Sequence, residues 1–244
     1  MVPLPRLVAA FAICLLATPI AAQSSLGVSG ATFDIGAVDG DAFVATRIDT
    51  AITGHHGLQF DAVLSDHDAG LIGQMDGHLY MRPAKGQEYG LFAQVGDADG
   101  RSRSWGAAGI EGMFAAGANT AVELRGGLAL SQPGGWDALF ADAGVIHGLS
   151  DSLSLTARLT LTEIDELVLS TIARETRLGV EFHPRGTAWG AFADITADRA
   201  DGSETTTLRL GLSLTLGDAG GTAPETRLFR AADPFGPLFR RGRL

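Results

Sequence analysis

From residue 28 to residue 217, apolar and polar side chains alternate with a period of two. The runs last 8 to 15 residues and are separated by clusters of Gly, Asp, Pro and Asn. A helix would repeat its apolar positions every 3.6 residues, so this pattern predicts strands with two unlike faces. Twelve such segments are predicted, at 30–37, 43–52, 58–65, 71–81, 89–96, 105–114, 121–130, 138–146, 153–162, 168–182, 188–195 and 206–216. The plainest sets Leu153, Leu155, Ala157, Leu159 and Leu161 against Ser154, Thr156, Arg158, Thr160 and Thr162. Another sets Leu208, Leu210, Leu212, Leu214 and Leu216 against Arg209, Gly211, Ser213 and Thr215. The repeat is about 16 residues per strand and turn, as expected for ~10-residue strands of a membrane barrel. No later segment has 18 consecutive apolar residues, so no membrane-crossing helix is predicted.

The charges sharpen this picture. The twelve segments contain sixteen charged residues, and fifteen fall on the less apolar face: Asp34, Arg47, Asp49, Asp61, Asp76, Glu111, Glu123, Arg125, Asp142, Arg158, Glu175, Arg177, Glu181, Asp194 and Arg209. Only Arg174 falls on the apolar face. A soluble β-sandwich or barrel also alternates, but it commonly decorates its wet face with lysine, and this chain has one, Lys85. The apolar face also interleaves bulky residues with Gly73, Gly77, Gly106, Gly112 and Gly126. A close-packed core would lose contacts at such gaps, whereas fluid lipid tails fill them. The expected fold is all-β: a transmembrane antiparallel up-and-down barrel of about 12 strands (10–14), with short turns. The fifteen charges are the expected pore-lining residues.

Composition then adds location. The 244 residues carry 18 basic and 28 acidic side chains, a balance unsuited to gripping nucleic acid phosphates. Residues 1–22 read as a cleaved secretory signal peptide: Arg6, an apolar run from Leu7 to Ile20, and Ile20-Ala21-Ala22 before Gln23. Cleavage there would remove Cys14, the only cysteine, leaving an exported chain without disulfides. An even strand number places both barrel termini in the periplasm. The outward turns, around 38–42, 66–70, 97–104, 131–137, 163–167 and 196–205, then hold thirteen acids and three arginines. The inner turns hold His55, His56, Arg82, Lys85 and Arg185, and Tyr89, Phe114, Phe182 and Trp189 form a lipid-facing girdle at that end. The chain divides into the signal at 1–22, the barrel at 23–217 and a segment at 218–244. That last segment has five arginines and three acids, net +2, against −13 for residues 23–217. It reads either as a flexible periplasmic tail or as a lumen plug whose arginines pair with wall carboxylates.

A family likeness agrees with this reading. The stretch Gly77-His78-Leu79-Tyr80-Met81-Arg82-Pro83, followed by Gly90-Leu91-Phe92, resembles porin-like outer-membrane β-barrels of alphaproteobacteria. So do Gly109-Ile110-Glu111-Gly112 and Glu123-Leu124-Arg125-Gly126-Gly127. The last strand ends Leu214-Thr215-Leu216, where many such barrels end on an aromatic residue. The resemblance implies a passive role in the cell outer membrane, without cofactor or catalytic residues. Its implied partners are outer-membrane lipid, lipopolysaccharide and the barrel-assembly machinery, with no nucleic acid.

Other chemistry is sparse. Asp66-His67-Asp68 has the types for a metal or acid/base site but sits in a predicted turn, where such residues also serve the backbone. His55-His56 lacks further spaced ligands, and Asp97-Ala98-Asp99-Gly100 lacks the later carboxylates of a calcium loop. Asp198-Arg199-Ala200-Asp201-Gly202 is no fuller. Two main functions remain open. Ten acids and five arginines around an aqueous lumen would make a diffusion channel with cation preference. Paired with one another, they would instead fill a closed barrel whose acidic outer turns hold divalent cations or touch lipopolysaccharide. A soluble periplasmic barrel for an apolar ligand is the third reading.

Overall fold

The computed structural model describes residues 27–67, 70–99, 102–133, 135–166, 169–200, 202–217 and 227–239. The signal-peptide segment 1–22 lies outside these residues, as do Asp68, Gly100, Asp201, Asp218, Glu225, Arg240, Arg241 and Arg243.

Among the described residues twelve strands follow in order: β1 (Val28–Val38), β2 (Asp41–Ala51), β3 (His56–Ser65), β4 (Ile72–Ala84), β5 (Gln87–Ala98) and β6 (Arg103–Gly117), then β7 (Thr120–Gln132), β8 (Trp136–Gly148), β9 (Leu153–Glu166), β10 (Leu169–Phe182), β11 (Trp189–Ala200) and β12 (Ser203–Gly217). Each pairs antiparallel with its sequence neighbours, and β1 closes the barrel against β12, with Asp34 opposite Ser213. Both termini of the barrel lie at one end, called here the near end. The turn between β1 and β2 shows how local sequence sets such a hairpin. Asp39 and Gly40 both have positive φ, 52° and 103°, the geometry of a tight turn matched to strand twist.

Each expected segment coincides with a strand, overshooting it by no more than one residue. Several strands run further toward the far rim, β9 to Glu166 and β11 to Ala200. There the outward positions turn polar, as at Glu163, Arg199 and Glu204, so alternation fades while the backbone ladder continues.

The two faces of the wall are sharply different. Leu91, Val95, Ile110, Leu128, Leu139 and Ile172 are among the large apolar side chains exposed on the outside, Ile110 by 67%. Soluble monomers do not leave an apolar surface of this extent to water, whereas a bilayer covers it. The outer glycine Gly77 has nothing within 4 Å of where a Cβ would stand, so it is an open gap in that wall. At the near end Tyr89, Phe182 and Trp189 are exposed on the outside, and Phe114 packs edge-on against Tyr89 at 5.3 Å.

Candidate functional site

The lumen is both charged and occupied. All fifteen charged residues expected inside are buried or half-buried on the inner face, while Arg174 is exposed on the outer one. Most are linked to one another across neighbouring strands. Arg125 of β7 donates to Glu111 of β6 at 2.9 Å and to Glu123 at 3.2 Å. Arg158 of β9 reaches both Glu123 and Asp142. His78 of β4 continues the chain, with Nδ1 2.7 Å from Glu111 and Nε2 3.6 Å from Asp61. On the opposite side Arg47 pairs with Asp34 at 2.9 Å, Arg209 with Asp194 at 3.1 Å and Arg177 with Glu175 at 2.9 Å. Strand pleat explains the clustering: inward positions on adjacent antiparallel strands place their Cβ atoms about 5 Å apart. A charge removed from water is tolerable only when paired in this way.

Residues 227–239 run through this lumen from the near end toward the far rim. They form an extended piece and then one helical turn at Gly236–Phe239. The extended piece has no strand partner, so its buried backbone groups need side chains. The wall supplies them. Gln59 donates to the carbonyl of Phe229 at 2.7 Å, Arg125 to that of Arg230, Gln74 to that of Ala232 at 2.8 Å and Thr162 to that of Pro234 at 3.0 Å. In return the Arg230 amide donates to Glu123 and the Ala232 amide to Asp76, both at 3.2 Å. Two arginines add charge: Arg227 donates to Glu181 at 2.5 Å and to Ser154 at 2.8 Å, and Arg230 also pairs with Glu181.

Apolar anchors complete the fit. Phe229 is fully buried with Tyr80, Met113, Ala121 and Ile146, its ring stacked on His78. Phe235 and Leu238 join Phe92, Trp105, Phe140 and Ile164 in the far half. Most of residues 227–239 are buried. Composition gave only its charge and glycine content; its one legible signal was a basic segment following an acidic barrel. The wall glutamines and Thr162 that hold its carbonyls are uncharged, and a search for charged residues passes over them.

The segment lies against one side of the lumen and leaves space on the other. A cavity of about 480 Å³ opens at the far rim between Asp39, Asp41, Asp66, Phe43, Thr207 and the segment itself. A smaller one, about 50 Å³, lies toward the near end beside Thr32, Glu181, His183 and Arg227. Asp34, Arg47, Arg209 and Arg230 border both. One carboxylate and three guanidinium groups thus stand between the two spaces. Arg209 is held there over the rings of Phe43 and Phe192, 4.4 and 4.5 Å from their centroids. Burial depresses the imidazole of His183, which borders the smaller space from the near-end turn, favouring its neutral form.

The minor motifs do not assemble into sites. Asp66 and His67 border the far cavity, His55 faces the Arg82 carbonyl at 3.3 Å, and His56 faces Thr53 at 2.9 Å. Asp97 and Arg199 point outward, while Asp198 is buried on the inner side. Among the described residues no three His, Cys, Asp or Glu side chains are grouped to hold a metal.

Fold and wall together define a closed up-and-down transmembrane β-barrel of twelve strands with a polar inner face. No protein-family model and no curated protein matches the chain. Solved structures do. The NanC porin superposes with a TM-score of 0.60 at 9% identity, covering 76% of this chain and 100% of that one. An outer-membrane channel, COG4313 from Pseudomonas putida F1, gives 0.58 at 13% identity over 78% of this chain and 96% of that one. The KdgM porin in complex with disordered oligogalacturonate gives 0.54 at 10% identity over 76% and 98%. At such identities the likeness is one of fold.

Proposed function

We propose that the chain is a porin-like barrel of the outer membrane, a passive channel for small solutes and ions whose lumen is occupied by its own C-terminal segment. The observation that carries this reading is the chemistry of the seal. The wall holds the segment through carboxylates, guanidinium groups and amides. Water can satisfy every one of these polar groups once the segment leaves, and the apolar contacts of Phe229, Phe235 and Leu238 are what favour the seated state. The fifteen charged residues then line the pore. Their excess of acids gives the vacated wall a field that favours cations. With the segment seated, Asp34, Arg47, Arg209 and Arg230 stand between the two remaining spaces, and the acids Asp76, Glu111 and Glu123 are covered. The similar porin and channel folds support a passive rather than an enzymatic role, and an outer-membrane location.

A closed barrel with a structural or surface role is the second reading. It is favoured by the complete burial of Phe229 and Phe235, which fastens the segment at both ends of its path. Swelling of proteoliposomes separates the two. Vesicles holding the chain without residues 218–244 should swell in small neutral sugars and in cationic amino acids faster than in anionic ones. Vesicles that stay impermeable to all three would leave only the closed barrel.

A further inference from the structure

The far-rim cavity has two chemically different ends. Asp41, Asp66 and Asp39 stand at its mouth, where the Asp39 carboxylate also accepts the Leu208 amide at 2.7 Å. Its floor holds Arg47, Arg177, Arg209 and Arg230, together with Asp34 and Asp61. Each of these arginines has a carboxylate partner, respectively Asp34, Glu175, Asp194 and Glu181. The arginine side chains nonetheless remain 19–27% exposed, whereas those carboxylates are only 3–13% exposed. Asp61 is 1% exposed. The acids lie beneath, and the floor presents guanidinium to the cavity. A guanidinium has five N–H donors, and one carboxylate engages two at most.

The floor is also held in place. Gly36 and Gly211 face each other across β1 and β12, and the rings of Phe43 and Phe192 fill the space that side chains would take there. Arg209 rests on both rings. One flank of the cavity is itself a peptide, because Ala231 of the C-terminal segment borders the space. Successive residues of an extended chain turn their backbone groups to opposite sides. Those of Arg230 and Ala232 are bonded to the barrel wall. The amide and carbonyl of Ala231 make no hydrogen bond within the described residues, and they face the cavity.

We propose that this cavity binds a short peptide of three or four residues with both termini free. The peptide carboxylate meets the arginines of the floor, and its ammonium group meets Asp41 and Asp66. Between them, a middle residue pairs with Ala231 as one more strand beside the segment. The lengths agree. Asp41 and Arg47 are six residues apart on β2, about 20 Å between Cα atoms. Three or four extended residues cover about 10–14 Å, and side chains at both ends close the rest. A volume of about 480 Å³ also suits a ligand of this size. A simple anion is repelled by the mouth and a simple cation by the floor, whereas a zwitterion of this length suits both. The proposal names a ligand for the lumen and rests on the barrel reading above, with the segment seated.

The test is isothermal titration of the full folded chain in detergent with trialanine, and the ends of the peptide are altered before the barrel is. Trialanine should bind saturably, one per barrel. Its C-terminal amide and its N-acetyl form should each bind at least tenfold more weakly, as should acetate. Methylation of the middle peptide nitrogen should weaken binding at least fivefold. D41N/D66N should weaken binding of trialanine at least fivefold but leave that of N-acetyl-trialanine unchanged, a difference that a general loss of structure would not produce. R185Q, which alters an exposed near-end turn arginine paired with Asp151, should change neither. Absence of saturable binding by barrels with the heat-modifiable mobility of the folded state would overturn the proposal. So would equal binding of trialanine and its doubly capped form, or equal affinity for acetate, which would mark a bare anion site. Trialanine bound by barrels that pass no solute in vesicles would support the peptide site and remove the channel reading instead.

Discussion

The ring of Phe229 lies almost parallel to that of His78, with centroids 5.8 Å apart and planes 9° from parallel. His78 is itself fixed between Asp61 and Glu111, so this contact joins the C-terminal segment to the longest charged network of the wall. Segment and wall are therefore coupled where the aromatic anchor meets the imidazole.

Phe229→Ala should loosen the seal. Truncating a fully buried phenylalanine costs about 3–5 kcal/mol, and each 1.4 kcal/mol is about a tenfold change in an equilibrium. If most of that loss falls on the seated state, the fraction of open channels rises by about a hundredfold or more. Protease cleavage within 227–239 in intact vesicles, compared with the wild type, reports the released fraction. The barrel's thermal unfolding should move much less.

Glu181 holds both arginines of the segment, Arg227 and Arg230. Glu181→Gln leaves two lumenal guanidinium groups without their counter-charge, and removing one partner of a buried pair costs about 3–5 kcal/mol. Adding Arg227→Gln and Arg230→Gln should recover part of that loss, because the uncompensated charges go with them. A cycle of conductance measurements on these variants checks the coupling, and strictly additive effects would contradict it.

Glu123 is wholly buried and accepts from Arg125, Arg158 and the Arg230 amide. Glu123→Gln should lower barrel stability in denaturant titrations by about 3–5 kcal/mol. It should do so in the full chain and, slightly less, in a chain ending at Gly217, since two of the three contacts belong to the wall.

Glycines on the two faces should respond differently. A Cβ on the inner Gly109 would stand 2.1 Å from the Gly126 carbonyl oxygen and 2.8 Å from the Phe92 ring. Gly109→Ala should therefore cost about 1–3 kcal/mol through overpacking. Gly77→Ala adds a methyl to open lipid-facing space and should be close to neutral. Heat-modifiable gel mobility as a function of temperature measures both.

What the sequence made legible follows the range over which each interaction acts. Strand alternation is written within every ten residues, so Leu153 to Thr162 announces its two faces without reference to any other strand. The inward charges are legible for the same reason, since Glu123 and Arg125 share a face by parity alone. The seating of 227–239 is not written locally. Its carbonyls are satisfied by Gln59, Gln74, Arg125 and Thr162, residues drawn from four strands and separated from it by 72 positions or more. A segment without strand or helix period offers no pattern to read, and its burial depends on closure of a wall that the sequence describes one strand at a time.

Single-channel recording of the full chain beside a chain ending at Gly217, in the same planar bilayer under a salt gradient, addresses the central claim most directly. The full chain should be silent or show small, infrequent steps. The shortened chain should show frequent, larger steps with a reversal potential on the cation side. Equal conductance in the two, or a shortened chain that prefers anions, would contradict the account of an acidic pore sealed by its own C-terminal segment.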